Sequence, residues 1–371
     1  MICVGDRVLK RSMRICAAVA LAGATVGLAD GAMAQDATMT TPGGTIVTIG
    51  GGFQALQLPD MDFTFKINRQ GNTVSKQTND SFDATGGVIS GQIETPFGRW
   101  GSTPVTGVIG GFFANVDDGE TTHCQSGANL TCTVENIVDT PGNDSATFRA
   151  FKTKTDRDVD YWAGSGELRF GQEPAPLPDA GGYLFRFGYI GIGADVRGID
   201  QDNKLKLSTA GVGSALKYSE TLDTTYSGGF LSIGGEYNIL GYFWPSNSWG
   251  LRSFVTLRGG VYDANVDYDG KFTPTGLSST KLGLSNDEVA FIGSLSFETR
   301  KQFGPRTSLS LLTNYEYFSY APQMKYLDAD PPSLGKINQT HIADDDALAI
   351  RTQLRLNIGL GSSQLYQEPI K

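Results

Sequence analysis

Arg351 and Arg355 lie in the stretch Ala347-Leu-Ala-Ile-Arg-Thr-Gln-Leu-Arg-Leu-Asn-Ile-Gly-Leu360. There every even position from Leu348 to Leu360 is apolar or Thr, and the odd positions carry two Arg, a Gln and an Asn. Side chains of a strand alternate faces with period two, so the charges gather on one face and the aliphatic groups on the other. The same spacing recurs upstream and places Glu167, Arg169, Arg186, Glu236, Arg252, Arg258, Glu298, Arg300 and Glu316 on the faces opposite their apolar neighbours. In this set seven arginines meet four glutamates. Two kinds of chemistry fit it. The charges can pair among themselves and fill a closed interior, since unpaired buried charge is costly. Alternatively they line a narrow aqueous path whose arginine-rich wall favours anions.

Covalent chemistry has little to work with. A hydrolase needs a nucleophile or an activated water with a base, often His. The chain has two histidines, His123 and His341, both in stretches read as external loops. His341 stands near Asp344, Asp345 and Asp346, a spacing that suggests either an Asp–His pair or an acidic loop that binds divalent cations bridging lipopolysaccharide. No catalytic set, cofactor or metal centre is assigned. Cys124 and Cys132, with only His123 adjacent, offer too few ligands for zinc and predict a local disulfide in an oxidising compartment. Asp117, Asp118, Glu120, Asp328 and Asp330 make the remaining polar stretches acidic.

The N-terminus assigns the compartment. Arg7, Lys10, Arg11 and Arg14 precede an apolar run from Ile15 to Leu28, and Ala32-Met-Ala34 follows as a small-x-small cleavage site with Gln35 as the new terminus. The apolar run is shorter than the roughly 20 residues a spanning helix needs. Residues 1–34 are therefore read as a cleaved signal peptide. They carry four Lys/Arg and two Asp/Glu, so of the 30 basic and 39 acidic residues 26 and 37 remain, a net charge of −11. That balance argues against nucleic acid as a partner.

The elements that must hold the charges are strands. The 48 Gly among 371 residues are about twice the usual share and suit β turns and close strand approaches. Alternation predicts ten strands, at 45–57, 86–96, 105–116, 157–171, 182–198, 224–240, 251–268, 287–302, 308–322 and 347–360. In the fifth, Tyr183, Phe185, Phe187 and Tyr189 alternate until the register slips near Gly191, which predicts a bulge. The connections alternate long and short, so all short links fall at one end. Phe63–Arg69 leaves twelve strands as an alternative. Phe97, Trp100, Tyr242, Phe243, Trp244, Trp249 and Phe303 sit in or beside the short links, where an interfacial aromatic girdle belongs.

A cleavable signal, an even set of amphipathic strands, segregated loop lengths and rim aromatics resemble Gram-negative outer-membrane β-barrel proteins of the porin-like and OmpA-barrel-like class. The resemblance implies an all-β, antiparallel up-and-down barrel over residues 45–360 in the outer membrane. Residues 35–44 and 361–371 would be short periplasmic segments. It also implies lipid and lipopolysaccharide as surroundings, with the oligomeric state open. On this reading the protein is a narrow Arg/Glu-lined pore for small solutes. The alternatives are a non-conducting surface-interaction barrel with a salt-bridged lumen and, more remotely, an outer-membrane hydrolase.

Overall fold

Alternating sequence becomes strand because each strand can then satisfy its backbone laterally while sorting its side chains onto two unlike faces. In a computed structural model this happens over nearly all of the described residues. The residues described are 44–59, 64–69, 72–78, 82–125, 130–135, 145–148, 150–171, 185–209, 213–237, 251–274, 279–304, 306–325 and 341–360. Signal cleavage at Ala34 and Gln35 and the tail 361–371 lie outside them.

The strands are β1 (Ile46–Leu58), β2 (Thr64–Arg69), β3 (Asn72–Thr78), β4 (Phe82–Trp100), β5 (Thr103–Gln125), β6 (Leu130–Glu135) and β7 (Ser145–Phe148). They continue with β8 (Ala150–Gly171), β9 (Phe185–Thr209), β10 (Gly213–Tyr237), β11 (Leu251–Pro274), β12 (Thr280–Gly304), β13 (Thr307–Lys325) and β14 (His341–Gly359). Ten of them close into one antiparallel barrel in the order β1-β14-β13-β12-β11-β10-β9-β8-β5-β4, with β4 returning to β1. The other four form a separate antiparallel sheet, β3-β2-β6-β7. Thr64–Arg69 thus belongs to that second sheet, and the barrel has ten strands rather than twelve. Gly101, at φ +61°, takes a left-handed conformation in the tight β4–β5 turn.

The outer surface carries a belt of exposed apolar side chains: Ile49, Phe53, Ile89, Leu168, Ile190, Ile192, Leu231, Leu257, Val261, Val289, Phe291, Leu311, Leu354 and Leu356 among them. Val289 is 72% exposed. A surface this apolar belongs in hydrocarbon. Among the described residues no helix is long and apolar enough to cross a membrane, and the apolar belt is carried by the barrel strands.

The barrel strands are longer than a crossing requires. β9 and β10 run 25 residues each, whereas about 9–11 tilted residues span a bilayer core. Beyond the belt the pattern turns inside out on unbroken strands. On β11 the outward series Leu257, Gly259 and Val261 gives way to Asp263, Asn265, Asp267 and Asp269. The inward series runs from Arg252 and Arg258 to Ala264, Val266 and Tyr268, which are buried. Leu205, Leu207, Leu222 and Met324 join them in an ordinary apolar core. The extension is a water-facing barrel stacked on a lipid-facing one.

This overturns several expectations. The long polar connections at 117–156, 201–222 and 269–286 are in large part strand, and 323–345 is strand at both ends, so His123, Glu120 and Asp117 lie in β5, and His341 and Asp344–Asp346 in β14. Asp328 and Asp330 lie outside the described residues. Cys124 pairs in register with Phe151 of the barrel, while Cys132 pairs with Ile67 and Phe148 in the second sheet. The side chains of Cys124 and Cys132, and with them the expected disulfide, lie outside what the structure describes. The expected bulge is present and falls at Gly188, three residues before Gly191: Gly234 pairs with Tyr189 and Gly235 with Phe187. Phe185 and Phe187 therefore face out, and Tyr189 turns inward and is buried.

Candidate functional site

Closing ten strands brings the inward charges together in tiers. Nearest the short turns, Arg169 on β8 meets Glu94 on β4 at 3.6 Å and Glu167 at 3.1 Å. Its guanidinium lies 4.5 Å from the centre of the Tyr189 ring. Arg186 and Arg252 share Glu236, at 3.9 and 3.0 Å. Arg300 and Arg355 share Glu298, at 3.1 and 3.9 Å, and Arg355 also donates to Gln92 at 2.8 Å. Arg252 and Arg300 are register partners and like charges, and each lies 4.9 Å from the ring of Phe254 between them. That aromatic face offsets part of their repulsion. Water reaches this tier: Arg169, Arg186, Arg252, Arg258 and Arg300 each keep 18–22% of the side chain exposed although all point inward.

Farther along the axis the interior closes. Arg197 on β9 binds Asp195 and Glu316. Tyr161 on β8 donates to Glu316, and Arg258 reaches Asp195 from below. Rings fill the space around these ions. Phe112 meets Tyr161 edge-on at 4.8 Å, and Phe318 lies 6.0 Å from Tyr161 and 5.5 Å from Tyr226. Every barrel strand contributes a buried inward side chain to this layer or its rim: Gln54, Ala84, Ala114, Tyr161, Arg197, Tyr226, Tyr262, Ala290, Phe318 and Ala349. Tyr161, Tyr226 and Phe318 have no exposed surface and Arg197 keeps 3%. The packing depends on Gly228 and Gly260, where a Cβ would fall 2.7 and 2.8 Å from the Tyr262 ring. Above the layer, Arg157 bonds Gln201 and the Pro59 carbonyl, and Glu220 accepts from Asn203 at 2.8 Å and Tyr218 at 2.6 Å.

All eleven ionisable residues singled out in the sequence have inward side chains, in the lower tier or against the closed layer. Four equally important ones were not anticipated. Glu94 carried a readable signal, since Ser90, Gln92 and Glu94 alternate with Ile89, Gly91 and Ile93. Asp195 and Arg197 did not, because the bulge at Gly188 shifts their face. Tyr161 reads as an ordinary aromatic until Glu316, distant in sequence, arrives beside it. With them, eight arginines (Arg169, Arg186, Arg197, Arg252, Arg258, Arg300, Arg351, Arg355) face six carboxylates (Glu94, Glu167, Asp195, Glu236, Glu298, Glu316). Phe97, Trp100 and Phe303 are exposed at the short-turn rim, and Trp100 packs edge-on against Phe170 at 5.6 Å. Tyr242, Phe243, Trp244 and Trp249 lie outside the described residues. His341 is exposed at the outer end of β14, and no cluster of three metal-ligating groups occurs among the described residues.

No protein-family model matches the chain, and no curated protein does. Among solved structures, the outer membrane protease OmpT of Escherichia coli is similar at 10% identity and a TM-score of 0.44, over 87% of this chain and 99% of that one. Ail, the attachment invasion locus protein of Yersinia pestis, matches at 10% identity and a TM-score of 0.26, over 85% and 98%. A Pseudomonas aeruginosa FadL homologue matches at 8% identity and a TM-score of 0.22, over 86% and 91%. Likenesses this distant transfer no activity. The placement rests on the barrel itself: a closed, even-stranded antiparallel barrel with an apolar outer belt is an outer-membrane β-barrel.

Proposed function

We propose that this barrel is a non-conducting membrane stalk that presents its long strand extensions and the four-stranded sheet as an interaction surface outside the cell. The observation that carries this reading is the buried layer across the lumen, to which all ten strands contribute. A water-filled channel needs inward side chains that water can reach. Here Tyr161, Tyr226 and Phe318 are fully covered and Arg197 is held by two carboxylates. The core above it, built from residues such as Leu205, Leu207 and Tyr268, thickens the obstruction. Solute passage along the Arg/Glu wall would require that layer to part. It would also require the ion pairs of Arg197 to separate where little water can replace them. The extension, polar outside and continuously strand-paired, suits recognition, because binding residues work best on a firm scaffold.

Neither His341, exposed on the outer surface, nor His123 is assigned a catalytic role. Planar-bilayer recording of the refolded protein tests the reading. Quiet membranes despite confirmed insertion are expected, and reproducible unitary current steps would restore the pore.

A further inference from the structure

We propose that the chamber between the short turns and the closed layer binds one small dianionic oxyanion of the phosphate class, anchored by Arg351. Three observations converge on this residue. First, its guanidinium carbon lies 3.7 Å from the centre of the Phe112 ring, which holds the group against the layer. Second, its Nε and Nη1 are buried without a hydrogen-bond partner, and no carboxylate lies within ion-pair distance among the described residues. A buried guanidinium nitrogen left unsatisfied is expensive, so a native structure supplies an acceptor. Third, among the described residues from the short turns through the closed layer, eight inward arginines face six inward carboxylates, a surplus of two positive charges.

Water cannot neutralise that surplus, whereas one doubly charged anion can. Planar guanidinium forks match the oxygens of phosphate or sulfate in paired hydrogen bonds, and a low-dielectric wall strengthens them. Arg355, two steps of the alternation closer to the short turns, already gives Nη2 to Gln92 and has Nη1 3.9 Å from Glu298, while its Nε is buried and unpartnered. The chamber therefore has more donors than its own carboxylates use. The barrel wall separates it from lipid headgroups, which identifies the guest as a free anion rather than the phosphate of a lipid. This inference stands whether or not the layer above conducts, since it depends on charge and unmet donors alone.

The test is calorimetric titration of inorganic phosphate into the folded full-length protein in zwitterionic detergent, at constant ionic strength set with chloride. One saturable site is expected. Arg351→Gln should abolish it, and Arg351→Lys, which keeps the charge but loses the fork, should weaken it about tenfold. Folding of each variant is checked by heat-modifiable gel migration, and the lysine variant decides the matter if the glutamine variant fails to fold. Repeating the titration in phosphatidylcholine vesicles with and without phosphatidic acid separates the two sources of phosphate. Binding unchanged by phosphatidic acid supports a free anion, and its loss would overturn that assignment. Absence of phosphate binding above chloride, or binding indifferent to both substitutions, would overturn the site itself.

Discussion

Arg197→Met is the perturbation that probes the closed layer most directly. The side chain retains 3% exposure and bonds Asp195 and Glu316, whose side chains retain 1% and 6%. Methionine keeps most of the volume, so the change is chiefly electrostatic. Asp195 still has Arg258, but Glu316 keeps only the Tyr161 hydroxyl as a close donor among the described contacts. Breaking a buried pair by removing one partner leaves an uncompensated charge and costs about 3–5 kcal/mol. Lys154→Ala is the matched control: it removes the exposed Lys154–Asp156 pair, whose side chains are 55% and 34% exposed, and should cost about 1 kcal/mol or less. Adding Glu316→Gln to Arg197→Met removes the stranded charge while leaving an acceptor for Tyr161, and should recover at least half of the loss. Reversible urea unfolding in lipid vesicles, with folded fraction read on unboiled gels, gives all three values. If Arg197→Met lay within about 1 kcal/mol of the parent, or added salt erased its effect, the ions would be hydrated and the closed layer refuted.

The membrane boundary can be read from one face of one strand. Leu257→Arg places a charge within the apolar belt and should cost about 2–4 kcal/mol in the same unfolding assay, whereas Asn265→Arg, eight residues farther out on β11, should be nearly neutral. Equal penalties would mean the belt is misplaced. Gly260→Ala forces a Cβ to 2.5 Å from the Gly229 carbonyl oxygen and 2.8 Å from the Tyr262 ring. A loss of about 1–3 kcal/mol is expected from overpacking, and an unchanged unfolding midpoint would show that Tyr262 has room to move.

Much of this molecule was legible because a strand sorts side chains by parity. The alternation of Leu348 to Leu360 with Arg351 and Arg355 gave the strand, its two faces and the inward direction of its charges without any tertiary information. The same parity applied to Glu167, Arg252 and Glu298 located most of the charged interior. The strand extensions were overlooked although their signal was present. Asp263-Ala-Asn-Val-Asp-Tyr268 alternates as strictly as the membrane segment, but with the polar residues outward. Reading only for apolar faces turned toward lipid makes such a stretch look like a loop.

Parity follows from local backbone geometry, so the sequence by itself determined the strand positions, the outward lipid face and the arginine-rich inward face. Which charges meet depends on register around a closed ring, and that is a property of the whole barrel. Glu316 finds Arg197 and Tyr161, more than a hundred residues away in each case, only because nine other strands fix their relative height. One extra residue at Gly188 decides that Asp195 and Arg197 point inward at all. The tertiary structure therefore decided what the sequence had left open: the arginines divide into a water-reached chamber and a sealed layer, because ring closure, not local alternation, sets how deep each one lies.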